Sequence, residues 1–179
     1  MVEIFSLGKV EHQLLNDLAR EIVKVFEKFV DRCLVSGELD IPPSAYDESR
    51  KQYRSDLLLN YLSRETRGGE RKTVGLTNVD MYAHPLNFVF GQAQCPGKAA
   101  IVSLYRLDPE FYGQKPDYGV LLERAVKEVV HELGHTFGLL HCLNTSCVMS
   151  FSNHIGEVDR KSKFFCRECF KALEKITEG

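Results

Sequence analysis

The chain of 179 residues has no tryptophan, no long apolar run and no surplus of positive charge. With a formal net charge of −2 and a pI near 6.3, it lacks the basic bias of proteins that bind nucleic acids. No apolar stretch approaches the roughly 18 residues that cross a bilayer. Residues 1–10 have neither the basic region nor the continuous apolar stretch of a signal peptide. We therefore expect a cytoplasmic monomer with no nucleic-acid partner and no membrane partner.

What the chain does have is enough apolar sequence for one core, because 44% of its residues are hydrophobic. We expect a single domain over 1–179, divided into a sheet-and-helix part (1–138) and a C-terminal part (139–179). Apolar periodicity predicts strands at 2–7, 33–35, 72–80, 87–94 and 99–107, and helices at 11–30, 52–65, 117–137 and 167–178.

This alternation predicts an α/β fold with a twisted, mixed, mostly parallel sheet packed against helices. The turn at residues 95–98 joins 87–94 to 99–107 as a hairpin, so 87–94 is the expected antiparallel strand. The helix over 52–65 is expected to end near Gly68-Gly69.

Residues 131–141 carry the clearest chemical signal, reading His-Glu-x-x-His-x-x-Gly-x-x-His. Residues four apart in an α-helix share one face, so His131 and His135 can bind one metal ion, with Glu132 beside it. On a continuous helix His141 would lie about 15 Å beyond His131. It can join the site only if the helix ends, and Gly138 stands where that end is required, because glycine accepts the left-handed conformation.

These residues predict hydrolytic chemistry. Zinc bound by three histidines keeps a position open for water and lowers the pKa of that water to about 7. Glu132 is then the expected general base, which takes a proton from the water and passes it to the leaving amine. No Gly-x-Ser-x-Gly motif is present for an acyl-enzyme route. We therefore expect a peptidase.

Two cysteine pairs follow the histidines: Cys142 with Cys147, and Cys166 with Cys169. They fit either two disulfides or one tetrahedral zinc site. The reducing environment expected of an intracellular protein favours zinc. The sequence thus predicts two zinc ions per chain, one catalytic and one structural.

The eleven-residue motif with Met149 after it resembles the metzincin clan of zinc peptidases. The cysteine directly after the third histidine, the Cys147-x-Met149 step and the Cys166-x-x-Cys169 pair resemble one branch, the archaemetzincins or archaelysins. One departure is the gap between Met149 and Cys166, which has 16 residues where the family pattern has about 17.

The resemblance implies two further features. Met149 would form an apolar floor beneath the histidines without binding the metal. The strand at 87–94 would be the edge strand above the cleft, where a peptide or protein substrate adds as a further strand. The expected substrate contacts are Asn87, Phe88, Val89, Phe90 and Gly91.

Two functions remain open at this point. The first is a zinc-dependent peptidase, with endopeptidase and aminopeptidase both possible. The second is a zinc-stabilised peptide-binding protein whose centre is idle or has a very narrow specificity.

Overall fold

The computed structural model describes residues 1–66 and 71–178, and the expected helix stop at Gly68-Gly69 lies outside these ranges. The strands are β1 (Val2–Leu7), β2 (Cys33–Leu39), β3 (Tyr46–Asp47), β4 (Gln52–Arg54), β5 (Lys72–Thr77), β6 (Met81–Tyr82), β7 (Gly91–Ala93) and β8 (Ala99–Ser103). The helices are α1 (His12–Val25), α2 (Ser55–Glu65), α3 (Tyr118–Phe137), α4 (Ile155–Arg160) and α5 (Arg167–Glu178).

A mixed sheet of five strands lies at the centre, in the order β2-β1-β5-β8-β7. The first four strands are parallel, and β7 pairs antiparallel with β8 at one edge. The inner strands β5 and β8 are almost entirely buried, as expected for parallel strands covered on both faces. The predicted α/β class and the antiparallel edge strand are confirmed.

Two apolar layers cover the sheet. On one face, α1 and α3 bury residues such as Leu18, Ile22, Val129 and Leu133. On the other face, α2 packs Leu58 and Leu62 against Leu7 and Ile101. Within the two described ranges, no helix is both long enough and apolar enough to span a membrane.

Helix α3 has the boundaries that its sequence predicts. The Asp117 side chain accepts a hydrogen bond from the Val120 N–H at 3.0 Å and caps the first turn. Gly138 ends the helix in the left-handed conformation, with φ of 107°. The chain therefore turns back immediately after the two helical histidines.

Other boundaries differ from the predictions. Residues 52–54 form β4 instead of the first turn of α2, because the Tyr53 N–H donates to the Asp80 carbonyl and β4 pairs with β3 and β6 in a second sheet. Only Gly91–Ala93 of the predicted strand at 87–94 pair regularly with β8. Helix α1 ends at Val25, five residues before the predicted end at Val30.

Candidate active site

Helix α3 places His131 and His135 on one face, and their Nε2 atoms lie 3.1 Å apart. Two nitrogens bound to one tetrahedral zinc at about 2.0–2.1 Å would be separated by about 3.3 Å. The two imidazoles are therefore arranged as a pair of ligands for a single ion.

Two backbone carbonyls fix the protonation of these rings. His131 Nδ1 lies 2.8 Å from the Val148 carbonyl, and His135 Nδ1 lies 2.7 Å from the Leu139 carbonyl. A carbonyl can only accept, so each Nδ1 carries the proton and each Nε2 is left with its lone pair. Two unprotonated nitrogens facing each other at 3.1 Å repel unless a cation lies between them. The donor set therefore fits a metal ion.

Burial also keeps the rings neutral, as metal binding requires. It lowers the pKa of His131 well below its usual value, and the charge of Lys161 lowers it further. Burial is also the main cause that lowers the pKa of His135. Both side chains are thus unprotonated at Nε2 and uncharged near neutral pH.

His141 joins the two helical histidines because the chain reverses at Gly138. Its ring centroid lies 5.3 Å from that of His131 and 4.8 Å from that of His135. One ligand atom from each of the three histidines lies within 4.8 Å of the others. The turn at Gly138 therefore brings the third histidine next to the two helical ones.

Glu132 is 6% exposed and lies against the edge strand β7. Burial raises the pKa of its carboxyl well above the usual value, and the nearby Glu128 charge raises it further. Gly91 lies beside this side chain, and an added β-carbon there would lie 2.7 Å from Glu132 Cγ. Glycine at this position therefore leaves the space that the carboxylate occupies.

A cleft of about 740 Å³ opens over these residues. The three histidines and Glu132 line it, and so do all five expected substrate contacts: Asn87, Phe88, Val89, Phe90 and Gly91. The volume is within the range of about 300–1,000 Å³ that is typical of ligand sites. The cleft is thus bounded by α3 on one side and by the edge of the sheet on the other.

Met149 is fully buried beneath α3, where it packs against Gly134 so closely that a β-carbon at Gly134 would overlap its sulfur. Its backbone carbonyl accepts a hydrogen bond from the Cys142 N–H at 2.9 Å. The side chain therefore lies under the helical turn that carries the histidines.

The four C-terminal cysteines form a second cluster, in which one sulfur from each lies within 4.8 Å of the others. All four are free thiols, so the disulfide alternative is not seen. Cys142 Sγ lies 3.8 Å from Cys166 Sγ, and two sulfurs on one tetrahedral zinc at about 2.3 Å would be about 3.8 Å apart. Burial raises the pKa of Cys166, but hydrogen bonds from Cys169 and Cys147 outweigh it and lower that pKa to about 7. Burial raises the pKa of Cys147 and of Cys169, so the fit to a cation comes from the spacing of the sulfurs.

Sequence reasoning missed Glu128 and Lys161, which form a buried ion pair next to the histidine cluster with 2.8 Å between Glu128 Oε1 and Lys161 Nζ. Glu128 stands four residues before Glu132, so its helical position was a usable signal. Lys161 gave no such signal, because it follows a short helix in a segment with little apolar periodicity.

Comparison with known proteins agrees with this geometry. The sequence pattern of Peptidase family M54 matches residues 39–175. A protein named archaemetzincin from Methanocaldococcus jannaschii is 45% identical over 171 residues, which is 96% of this chain and 91% of that protein.

Solved structures give the same result. The crystal structure of archaemetzincin from Methanopyrus kandleri superposes with a TM-score of 0.87 at 38% identity, covering 99% of this chain and 95% of that one. A zinc-dependent peptidase from Methanocorpusculum labreanum superposes with a TM-score of 0.85 at 30% identity, covering 97% of this chain and 100% of that one. The chain therefore belongs to Peptidase family M54, the archaemetzincins, and is a zinc metallopeptidase.

Proposed function

We propose that His131, His135 and His141 hold the catalytic zinc and that Glu132 is the general base of peptide-bond hydrolysis. The observation that carries this assignment is the pair of unprotonated Nε2 atoms at 3.1 Å, each held by a carbonyl behind the ring. Partners of this kind orient metal-binding histidines and set their tautomer.

Zinc bound there supplies a Lewis acid that polarises the substrate carbonyl and lowers the pKa of water. Glu132 takes the proton from the attacking water and delivers it to the leaving nitrogen. The Glu132 carboxyl holds the proton between these two transfers. Gly91 lets the carboxylate lie flush against β7.

The substrate is a peptide or protein, and we place its backbone along β7. This strand is the last in the sheet order, so one of its edges has no strand beside it within the described ranges. An extended peptide can pair with such an edge through main-chain hydrogen bonds. The scissile carbonyl would then pass between β7 and the histidines of α3.

A second zinc held by Cys142, Cys147, Cys166 and Cys169 completes the proposal, giving two ions per chain. The spacing of the four sulfurs supports it. Free thiols throughout also fit a reducing compartment such as the cytoplasm. The single-domain organisation, the monomeric state and the lack of a nucleic-acid or membrane partner stay predictions.

The decisive test compares the parent protein with Glu132→Ala and Glu132→Gln on a diverse peptide library, with cuts mapped by mass spectrometry. We expect both variants to retain zinc and to lose cleavage by at least about a thousandfold. Cut positions far from the peptide ends would identify an endopeptidase, and removal of single N-terminal residues an aminopeptidase. Cleavage that persists in zinc-loaded Glu132→Ala would contradict the role of Glu132.

A further inference from the structure

Two buried side-chain oxygens within the described ranges accept or donate no hydrogen bond: Glu128 Oε1 and Ser152 Oγ. Both residues line the catalytic cleft. Glu128 is only 3% exposed, so its carboxylate has left bulk water without gaining a full set of partners. Buried polar atoms are usually hydrogen-bonded, and an exception inside a cleft points to a ligand that supplies the missing partner.

Lys161 compensates the charge of Glu128 but not its hydrogen-bonding capacity. Its Nζ lies 2.8 Å from Glu128 Oε1 without the alignment of a hydrogen bond. The same ammonium donates to the Ser150 carbonyl at 3.3 Å. The carboxylate and the segment that carries Ser152 therefore flank one buried cation, whose side chain is 1% exposed. Together, Glu128 and Lys161 are electrically neutral.

This end of the cleft lies one helical turn from the general base. Glu128 precedes Glu132 by four residues, so it is about 6 Å further along the same face of α3. Aromatic rings line the same cleft: Phe88 and Phe90 pack edge to face, and Phe151 lies beside His141. We call Glu128, Ser152 and these three phenylalanines the polar pocket.

We propose that the polar pocket selects one substrate residue that is uncharged and has a hydrogen-bond donor at its tip, as tyrosine or glutamine has. The aromatic walls take the body of the side chain, the Glu128 carboxylate accepts its O–H or N–H, and the Ser152 hydroxyl pairs with its oxygen. This selection rests on the peptidase function proposed above.

Charge decides against a cationic substrate residue. The Glu128 carboxylate is already paired with Lys161, so a lysine or arginine entering the pocket would bury a charge with no counterion of its own. An aliphatic residue or phenylalanine would bring no donor or acceptor to the two oxygens, so neither would gain a hydrogen bond. Sites built to bind a hydroxyl or amide reject the analogue that lacks it.

Peptide binding to zinc-loaded Glu132→Ala tests the pocket without requiring turnover. One tyrosine is moved along an otherwise constant peptide, and each peptide is compared by calorimetry with its phenylalanine counterpart. At one position we expect tyrosine to bind about tenfold more tightly, the value of about one net hydrogen bond. Equal binding of tyrosine and phenylalanine at every position would overturn the proposal.

Two further variants on the same background locate the effect. Ser152→Ala removes one oxygen with little change in shape, and Glu128→Leu with Lys161→Met replaces the ion pair by apolar residues of similar size, an exchange that proteins often tolerate. We expect the tyrosine preference to fall to about twofold or less in each. An unchanged preference in folded Ser152→Ala and in the double variant would place the selectivity elsewhere.

The cleavage map of the parent protein separates this proposal from the peptidase function. Cuts that show no preference for tyrosine or glutamine at any position would contradict the polar pocket alone. A tyrosine preference in binding, together with no cuts by the parent protein, would support the pocket and contradict turnover.

Discussion

The Glu132 side chain packs directly against Gly91, and the space between them is too small for any residue larger than glycine. An added β-carbon at Gly91 would lie 2.7 Å from Glu132 Cγ and 2.8 Å from its Oε1. These separations are shorter than van der Waals contact, so the Glu132 side chain would have to move. We expect Gly91→Ala to bind both zinc ions but to lower kcat by about tenfold to a hundredfold, because a small displacement of a proton-transfer group is costly.

Steady-state kinetics and zinc content of purified Gly91→Ala check this expectation. Gly119→Ala is the matched control, because its β-carbon would make only an ordinary contact of 3.4 Å with Asp117 Oδ1. Wild-type kcat in Gly91→Ala would show that the Glu132 carboxylate does not need its present position.

At this scale the sequence predicted which histidines come together and missed the groups that orient them. The spacing of His131, His135 and His141 around Gly138 follows from helix geometry alone, so it can be derived without coordinates. The Val148 and Leu139 carbonyls that orient the rings cannot be derived in this way, because every residue has a backbone carbonyl and the sequence does not mark which one is used. Lys161 was equally hidden, since its partner Glu128 lies 33 positions earlier in the chain.

Among the elements, α3 and α4 are joined by an ion pair between the buried Arg124 and the exposed Asp159, here called the clamp. Arg124 donates two hydrogen bonds to Asp159, at 2.7 and 2.8 Å, and a third to the Leu107 carbonyl at 2.9 Å. Its side chain is 6% exposed. The clamp fixes α4, and α4 leads directly into Lys161. The position of the buried lysine therefore depends on how two helices pack.

We expect Arg124→Met to lower the free energy of unfolding by about 2–4 kcal/mol, because the Leu107 carbonyl would lose a charged donor inside the protein. Chemical denaturation monitored by circular dichroism measures it. Arg54→Met is the control, since Arg54 makes a similar pair with Asp56 on the surface and its removal should have no measurable effect. A loss in Arg124→Met no larger than in the control would mean that the clamp adds nothing.

Element boundaries were predictable where local sequence decides them. Asp117 caps the first turn of α3 with its side chain, and Gly138 ends the helix in the left-handed conformation. The small sheet of β3, β4 and β6 was not predictable, because strands of two or three residues have too few positions for periodicity. The strand prediction was also wrong for residues 87–90. The Asn87 carbonyl accepts hydrogen bonds from the Arg50 and Gln52 side chains, and these contacts keep the segment out of regular strand pairing.

In the molecule as a whole, the segment from Leu139 to Met149 connects the two proposed metal sites. It contributes His141 to the first and Cys142 and Cys147 to the second, and it also carries the carbonyls that orient the helical histidines. The Cys142 N–H donates to the Met149 carbonyl, which closes the segment into a loop. The cysteine cluster ties this loop to the start of α5 through Cys166 and Cys169.

This connection predicts that damage to the cysteine cluster reaches the histidines. We expect Cys166→Ser to lose the structural zinc and to weaken catalytic zinc binding by about tenfold to a hundredfold, the usual cost of losing the groups that orient metal ligands. Competition with a chromogenic chelator measures both affinities, and Cys33→Ala controls for loss of a thiol outside the cluster. If Cys166→Ser folds and binds the catalytic zinc as tightly as the parent, the two sites are independent, and α3 with its Gly138 turn is sufficient to hold the three histidines. A parallel loss of both ions would instead show that the loop couples the two sites, and it would explain why Cys142 directly follows the third histidine.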